Sequence, residues 1–177
     1  ARFEPTGESF WLVTRDGSAR EFARDGETLG ITEIDWGRTA DEVVVLAHRR
    51  EEGRRVSRVE LLDLADGSTR ELVTEDMFPA SLEGLELSSL RALMTSPDRS
   101  GFAFFLVDPT GPRTLVVEYS FESGQLRPVA EIEDEMLGEH LVWLRDGSTL
   151  VATLSKVAHD VYIWEATDPD RELASSR

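Results

Sequence analysis

The chain of 177 residues contains no cysteine, so disulfide bridges, thiol catalysis and cysteine-ligated zinc are all excluded. Long apolar runs are absent too, since none approaches the roughly 20 residues that cross a bilayer. The first residues lack the apolar stretch of a secretory signal peptide. We therefore expect no membrane insertion. The composition fits a cytoplasmic protein as well as an exported one that folds without disulfide bridges.

Basic residues are few, with 19 Lys and Arg against 35 Asp and Glu and a formal net charge of −16. A negative field of this size repels phosphate backbones and anionic lipid, so we expect no nucleic-acid partner. A well-solvated surface accounts for most of this charge, and a basic or cationic partner is the alternative.

Helix signals are equally sparse. Residues 81–90 are the best candidate for a helical turn, although Gly84 weakens it. Several leucines in this stretch alternate, which leaves a short strand or an ordered loop as the alternative. Residues 131–139 are acidic and are predicted to form an exposed linker.

Strand signals, in contrast, recur along the chain. At four places a short apolar or aromatic strand leads through a turn, usually rich in Pro, Asp or Gly, into a second apolar run. Three of these runs are followed by a further pair of strands joined by a turn. The second apolar runs are residues 10–13, 43–46, 102–106 and 150–152, and the later turns are residues 65–68, 121–124 and 167–170.

The repeating unit is therefore four strands, with a spacing of roughly 40–50 residues, which is the period of a β-propeller blade. A blade packs both faces of its middle strands against neighbouring blades, which explains why 43–46 and 102–106 are continuously apolar. We predict an all-β fold, a single domain over 1–177 with about four four-stranded antiparallel β-propeller blades. The units are placed near residues 1–31, 32–74, 90–131 and 140–174.

One stretch carries a recognisable signature. Residues 94–104, which contain Ser96, Pro97 and Asp98, resemble the Ser-Pro-Asp-Gly turn and apolar strand of TolB-type, WD-repeat-like bacterial propellers. Residues 3–8 and 143–148 look like weaker copies. This resemblance implies a periplasmic or extracellular β-propeller that works in an envelope complex. Similar blades occur in the propeller domains of prolyl oligopeptidase relatives.

Propellers that share this signature commonly contain more blades than the units counted in this chain. We expect the chain to be a fragment of a longer propeller. A four-bladed ring and a ring completed by two chains are the alternatives. Open blade edges would also permit a homodimer.

Residues suited to catalysis are scarce. The nucleophile-elbow pattern Gly-x-Ser-x-Gly is missing, as are a glycine-rich phosphate loop and the His-x-x-x-His spacing of zinc sites. A catalytic triad would have to use His48, His140 or His159, each of which is better explained as a structural or surface histidine. We therefore predict no catalytic residues, no bound metal and no cofactor.

Two charged clusters are better explained as solvated loops than as binding sites. Arg49, Arg50, Arg54 and Arg55 surround the predicted turn between the middle strands of the second unit, where Glu51 and Glu52 provide local ion pairs. The consecutive acidic residues 133–135 lack the spacing of a calcium-binding loop.

The sequence predicts a non-catalytic binding or scaffold module for a protein, a peptide or a small ligand. Its binding surface is expected where the two blade-to-blade connectors, residues 75–89 and 131–139, meet at one rim. The alternatives are an accessory propeller domain of a serine peptidase and a propeller hydrolase acting alone. The candidate partner-binding residues are Glu75, Asp76, Phe78, Glu133, Asp134 and Glu135.

Overall fold

The computed structural model describes residues 9–13, 16–23, 28–108, 111, 113–133, 137–155 and 160–165. These residues form thirteen strands and three short 3-10 helices, at Glu75–Met77, Ala80–Leu82 and Leu87–Ser89. No helix in this described part of the chain is both long and apolar enough to span a bilayer. The strands are β1 Ser9–Val13, β2 Ala19–Ala23, β3 Thr28–Trp36, β4 Glu42–Glu51, β5 Arg54–Asp63, β6 Thr69–Val73, β7 Leu90–Thr95, β8 Gly101–Val107, β9 Arg113–Ser120, β10 Leu126–Glu133, β11 Leu137–Trp143, β12 Thr149–Ser155 and β13 Asp160–Glu165.

The strands form four antiparallel sheets in which neighbours in sequence are neighbours in space. Strands β3 to β6 form one four-stranded sheet and β7 to β10 another, while β11 to β13 form a three-stranded sheet and β1 pairs with β2. The predicted all-β class with four-stranded antiparallel sheets is therefore confirmed. Among the described residues, the first sheet has two strands and the last sheet has three.

The first strands of successive sheets lie side by side. The backbone N–H of Thr95 in β7 donates to the Asp35 carboxylate in β3 at 2.6 Å, and the Thr95 hydroxyl donates to the carbonyl of Trp36. The indole N–H of Trp143 in β11 donates to the carbonyl of Met94 in β7 at 3.2 Å. Strands β3, β7 and β11 therefore adjoin in order, as the inner strands of consecutive propeller blades do.

Three apolar cores are present in the described residues, and two of them lie between the larger sheets; the third, on the other face of the second sheet, contains Val43, Val45, Ala47, Leu62 and Leu64. Phe102, Phe104 and Leu106 of β8 are buried against Val44 and Leu46 of β4, between the second and third sheets. The alternate side chains of β8 point the other way because successive residues of a strand face opposite sides of a sheet. They enter a second core between the third and fourth sheets, which contains Ala103, Phe105, Val116, Leu141, Trp143, Leu150 and Ala152. The sheets are therefore stacked face to face.

The segment between β6 and β7 contributes to the first core. Leu82 and Leu87 are fully buried in it, and Leu85 is nearly so. The helical turn predicted over 81–90 is present only as the two 3-10 helices Ala80–Leu82 and Leu87–Ser89. Gly84 lies between them with a left-handed φ of 86°, a conformation that interrupts a helix.

The signature turn at residues 96–101 has a physical explanation. The buried Ser96 hydroxyl donates to the Asp98 carboxylate at 2.7 Å, and the N–H of Gly101 donates to the same hydroxyl oxygen at 3.2 Å. A Cβ atom on Gly101 would lie 2.1 Å from the carbonyl oxygen of Tyr119 in β9. Residue 101 must therefore be glycine for β8 and β9 to pair at this register.

One hairpin in each sheet is closed by the same Asp-x-Ser turn. The aspartate carboxylate accepts the backbone N–H of the serine two residues later at 2.8–3.0 Å, and the middle residue has a left-handed φ. Glycine is the middle residue in three turns and Arg99 in the fourth, where φ is 58°. The four turns begin at Asp16, Asp66, Asp98 and Asp146.

We expect the middle residue of these turns to affect stability through backbone strain alone. Gly67 has a φ of 79° and open space around its Cβ position, so Gly67→Ala should lower the free energy of unfolding by about 1 kcal/mol. Arg99→Gly should be at least as stable as Arg99→Ala, because only alanine keeps the left-handed strain. Urea unfolding measures both differences. A Gly67→Ala variant as stable as the original chain would contradict this explanation.

Candidate functional site

The connector between β6 and β7 lines an open surface pocket of about 250 Å³. We call it the connector pocket. Its floor is apolar and its edge acidic, because Leu82 and Leu85 are buried whereas Glu75 and Glu83 are exposed. The lining residues used below are Glu75, Phe78, Pro79, Leu82, Glu83 and Leu85.

Hydrogen bonds hold the connector in place at its ends and at its middle. The Glu75 carboxylate accepts the backbone N–H of Leu87 at 2.8 Å, which ties the start of the connector to its end. The Arg113 guanidinium, at the start of β9, donates to the carbonyl of Ser81 at 3.2 Å. It also donates to the carboxylate of Glu131 in β10 at 2.6 Å. The pocket is therefore built on a restrained segment.

The edge of the pocket carries charge of one sign. Residues 75–89 include four acidic side chains and no Lys, Arg or His. Asp76 is exposed, and a hydrogen bond from the Thr74 hydroxyl lowers the pKa of its carboxyl. Met77 is 40% exposed, so an apolar side chain also faces solvent beside the acidic ones. The surface combines apolar contact area with negative charge.

The predicted site residues divide between two connectors. Glu75 and Phe78 line the pocket, and Asp76 lies beside them. The second connector was predicted at 131–139, and most of this extent is wrong. Residues 131–133 continue β10, because the alternation around Ile132 extends the pairing with β9. Residues 137–139 begin β11, which pairs with β12 from Leu137 onward.

Glu133, which the sequence placed in a binding loop, is instead the last residue of β10 and pairs in register with Arg113. Asp134 and Glu135 lie outside the described residues. Arg113 is nevertheless a link between the two connectors, since it contacts Ser81 in the first and Glu131 beside the second. Sequence reasoning missed Arg113, because its partners are 32 and 18 residues distant along the chain.

His48 is the one candidate catalytic histidine that is buried in the described part of the chain. One ring nitrogen, Nε2, lies 2.9 Å from the Thr32 hydroxyl, and the other, Nδ1, lies 2.9 Å from the Ser57 hydroxyl. Burial, together with the smaller effects of the positive charges of Arg55 and Arg91, lowers the pKa of His48 to about 4. In a catalytic triad a carboxylate stabilises the protonated ring, whereas here two cations oppose protonation. The arrangement therefore supports a structural role.

The basic cluster predicted as a solvated loop is largely part of the second sheet. Strands β4 and β5 extend until only Glu52 and Gly53 remain as the turn, with φ of 49° and 80°. The Arg49 side chain is only 17% exposed and donates to the buried Glu60 carboxylate at 2.8 Å. Arg58 forms salt bridges with Glu51 and Glu71 at 2.7 and 2.6 Å.

Among the described residues, no three or more His, Asp or Glu side chains are grouped so that they could hold a metal ion. The side chains that line the connector pocket offer apolar contact and carboxylate charge.

The buried His48 should make stability depend on pH. The unfolded chain binds a proton at His48 near pH 6.5 and the folded chain only near pH 4. Its stabilising contribution is therefore complete above pH 6.5 and is lost as the pH falls towards 4. Between these two pH values, the free energy of unfolding of the original chain should decrease more than that of His48→Gln. The difference should be on the order of 3 kcal/mol.

Urea unfolding at a series of pH values measures this difference, and His140→Gln is the matched control because His140 is exposed. If the free energy of unfolding changed with pH in the same way in the original chain and in His48→Gln, His48 would not contribute to the pH dependence of stability.

Comparison with known proteins places the fold. No family model matches the chain, and no curated protein matches its sequence. Among solved structures, TolB from Acinetobacter baumannii superposes with a TM-score of 0.65 and 14% identity, over 92% of this chain and 36% of that one. A prolyl endopeptidase structure gives a TM-score of 0.57 and 14% identity, over 93% of this chain and 26% of the other.

The β-propeller domain of the Trilobed protease from Pyrococcus furiosus gives a TM-score of 0.54 and 12% identity, over 79% of this chain and 40% of the other. The chain thus spans about a third of the length of the TolB structure that it matches. At such low identity these likenesses concern the fold. The chain is folded as a TolB-like β-propeller, with the stacked sheets that its sequence predicted.

Proposed function

We propose that this chain is a non-catalytic β-propeller module that binds a protein, a peptide or a small ligand at the rim formed by its blade-to-blade connectors. The connector pocket carries the proposal. It joins an apolar floor, made by Phe78, Leu82 and Leu85, to an acidic edge on a restrained segment. Such a surface suits recognition, because little ordering of the loop is needed when a partner binds.

The side chains around this surface favour binding over catalysis. The buried histidine lies in the second sheet, hydrogen-bonded to Thr32 and Ser57, and its burial, with the neighbouring arginines, keeps it neutral. The Glu75 carboxylate is engaged by the backbone N–H of Leu87, so it restrains the connector. These groups build the frame on which the apolar and acidic side chains are displayed.

Replacing the aromatic side chain in the pocket tests this assignment. Peptides selected on the immobilised chain from a random display library serve as probes, and fluorescence anisotropy gives their affinities. Phe78→Ala should weaken binding by about tenfold or more, because truncating an aromatic anchor commonly costs over 1 kcal/mol.

Val13→Ala is the control, since Val13 is 58% exposed on β1, outside the connector. Urea unfolding of both variants separates lost binding from lost folding. If the selected peptides bound Phe78→Ala as tightly as the original chain, the binding surface would lie elsewhere.

A second candidate function is an accessory propeller domain of a serine peptidase. The likenesses to a prolyl endopeptidase and to the propeller domain of the Trilobed protease support it. The sequence of the whole gene distinguishes the two functions. An α/β-hydrolase segment in the same reading frame would favour the peptidase, and its absence would favour the free-standing binding module.

We also propose that the chain forms a homodimer. Val142, which is 50% exposed, lies in β11 opposite Val151 of β12, on the face of the fourth sheet away from the second core. A second copy could cover this face. Light scattering in solution reports it as a doubling of the 19.8 kDa mass of the chain, which Val142→Lys should reverse.

A further inference from the structure

The size of the connector pocket restricts what it can hold. Its volume of about 250 Å³ is below the roughly 300–1,000 Å³ of sites that enclose drug-sized ligands. Phe78, Pro79, Leu82 and Leu85 form its apolar lining. A space of this size and polarity accommodates one or two apolar side chains of a peptide.

The acidic edge of the pocket has charge available for a partner. Glu75 and Glu83 line the pocket, and the exposed Asp76 is adjacent in sequence to Glu75. Within the described ranges, no salt bridge joins Asp76 or Glu83 to a cation. The positive charge of Arg58 acts on Asp76, but the Arg58 guanidinium pairs directly with Glu51 and Glu71. Asp76 and Glu83 can therefore still form direct ion pairs with a partner.

The arginines that adjoin the connector are directed at other groups. Arg91, directly after it, donates to the carbonyl oxygens of Ser88 and Leu90. Arg113 donates to Ser81 and Glu131. Both side chains thus brace the backbone of the connector and leave the edge of the pocket negative.

We infer that the connector pocket binds a cationic peptide segment in which an apolar side chain stands next to Arg or Lys; this rests on the function proposed above. The apolar side chain enters between Phe78 and Leu85, and the basic group pairs with Glu83 and Asp76. Charge-assisted hydrogen bonds of this kind are stronger than neutral ones and set the orientation of the peptide. An acidic peptide is repelled by the same carboxylates.

Reversing the charge of the edge tests the inference. A random peptide library is selected on the original chain, and the enriched peptides are measured by anisotropy on two double variants. Asp76→Arg with Glu83→Arg alters the pocket edge. Asp41→Arg with Glu122→Arg makes the same change in net charge at the opposite end of the sheets, where both residues lie in exposed hairpin turns.

We expect the enriched peptides to combine Arg or Lys with an adjacent Leu, Ile or Phe. The pocket variant should weaken their binding by tenfold or more, and the opposite-end variant by less than twofold. Equal weakening by both variants would mean that only the overall negative field attracts the peptides, which overturns the inference.

A second outcome separates this inference from the proposed function. Enrichment of uncharged or acidic apolar peptides whose binding is lost in Phe78→Ala would overturn the cationic partner and keep the binding site. Enriched peptides that are insensitive to Phe78→Ala would overturn both. Urea unfolding of each variant confirms that its sheets remain folded.

Discussion

The burial of both faces of strand β8 is the constraint on which the rest of the structure depends. Phe102, Phe104 and Leu106 fill the core on one side, while Ala103 and Phe105 fill the core on the other. Each large apolar side chain contributes about 1.5–3 kcal/mol when it leaves water. A sheet with such a strand at its centre needs a neighbouring sheet on both faces, which dictates the face-to-face stack.

The same constraint positions the connector pocket. Leu82 and Leu87 are drawn into the core between the second and third sheets, so the connector is held at two points against that core. The polar residues between and beside these leucines must then face solvent, which leaves Glu83 exposed in the lining of the pocket. Loops that bind partners are commonly positioned on a rigid frame of this kind. The packed frame already orders the loop, so little conformational entropy is lost when a partner binds.

Polar groups that are buried in the sheets need hydrogen-bond or ion-pair partners. His48 is satisfied by two hydroxyl groups, and the Glu60 carboxylate by the guanidinium of Arg49. These contacts resemble functional clusters when residue types alone are considered. Their surroundings show otherwise, since burial and the nearby cations disfavour the charged His48 ring that acid–base catalysis would need.

What the sequence by itself determined is local. The strand alternation, the Asp-x-Ser turns at residues such as Asp66 and the continuously apolar β8 depend on neighbours along the chain, so the propeller class could be predicted. Glu75 and Phe78 could be named as candidates because a long connector between blades is visible in the sequence. Only the tertiary structure decided that β10 and β11 extend into 131–139, that Arg113 reaches Ser81, and that the connector lines a pocket. These features arise when segments distant in sequence pack against one another. A local pattern of residues does not show which distant segments will come into contact.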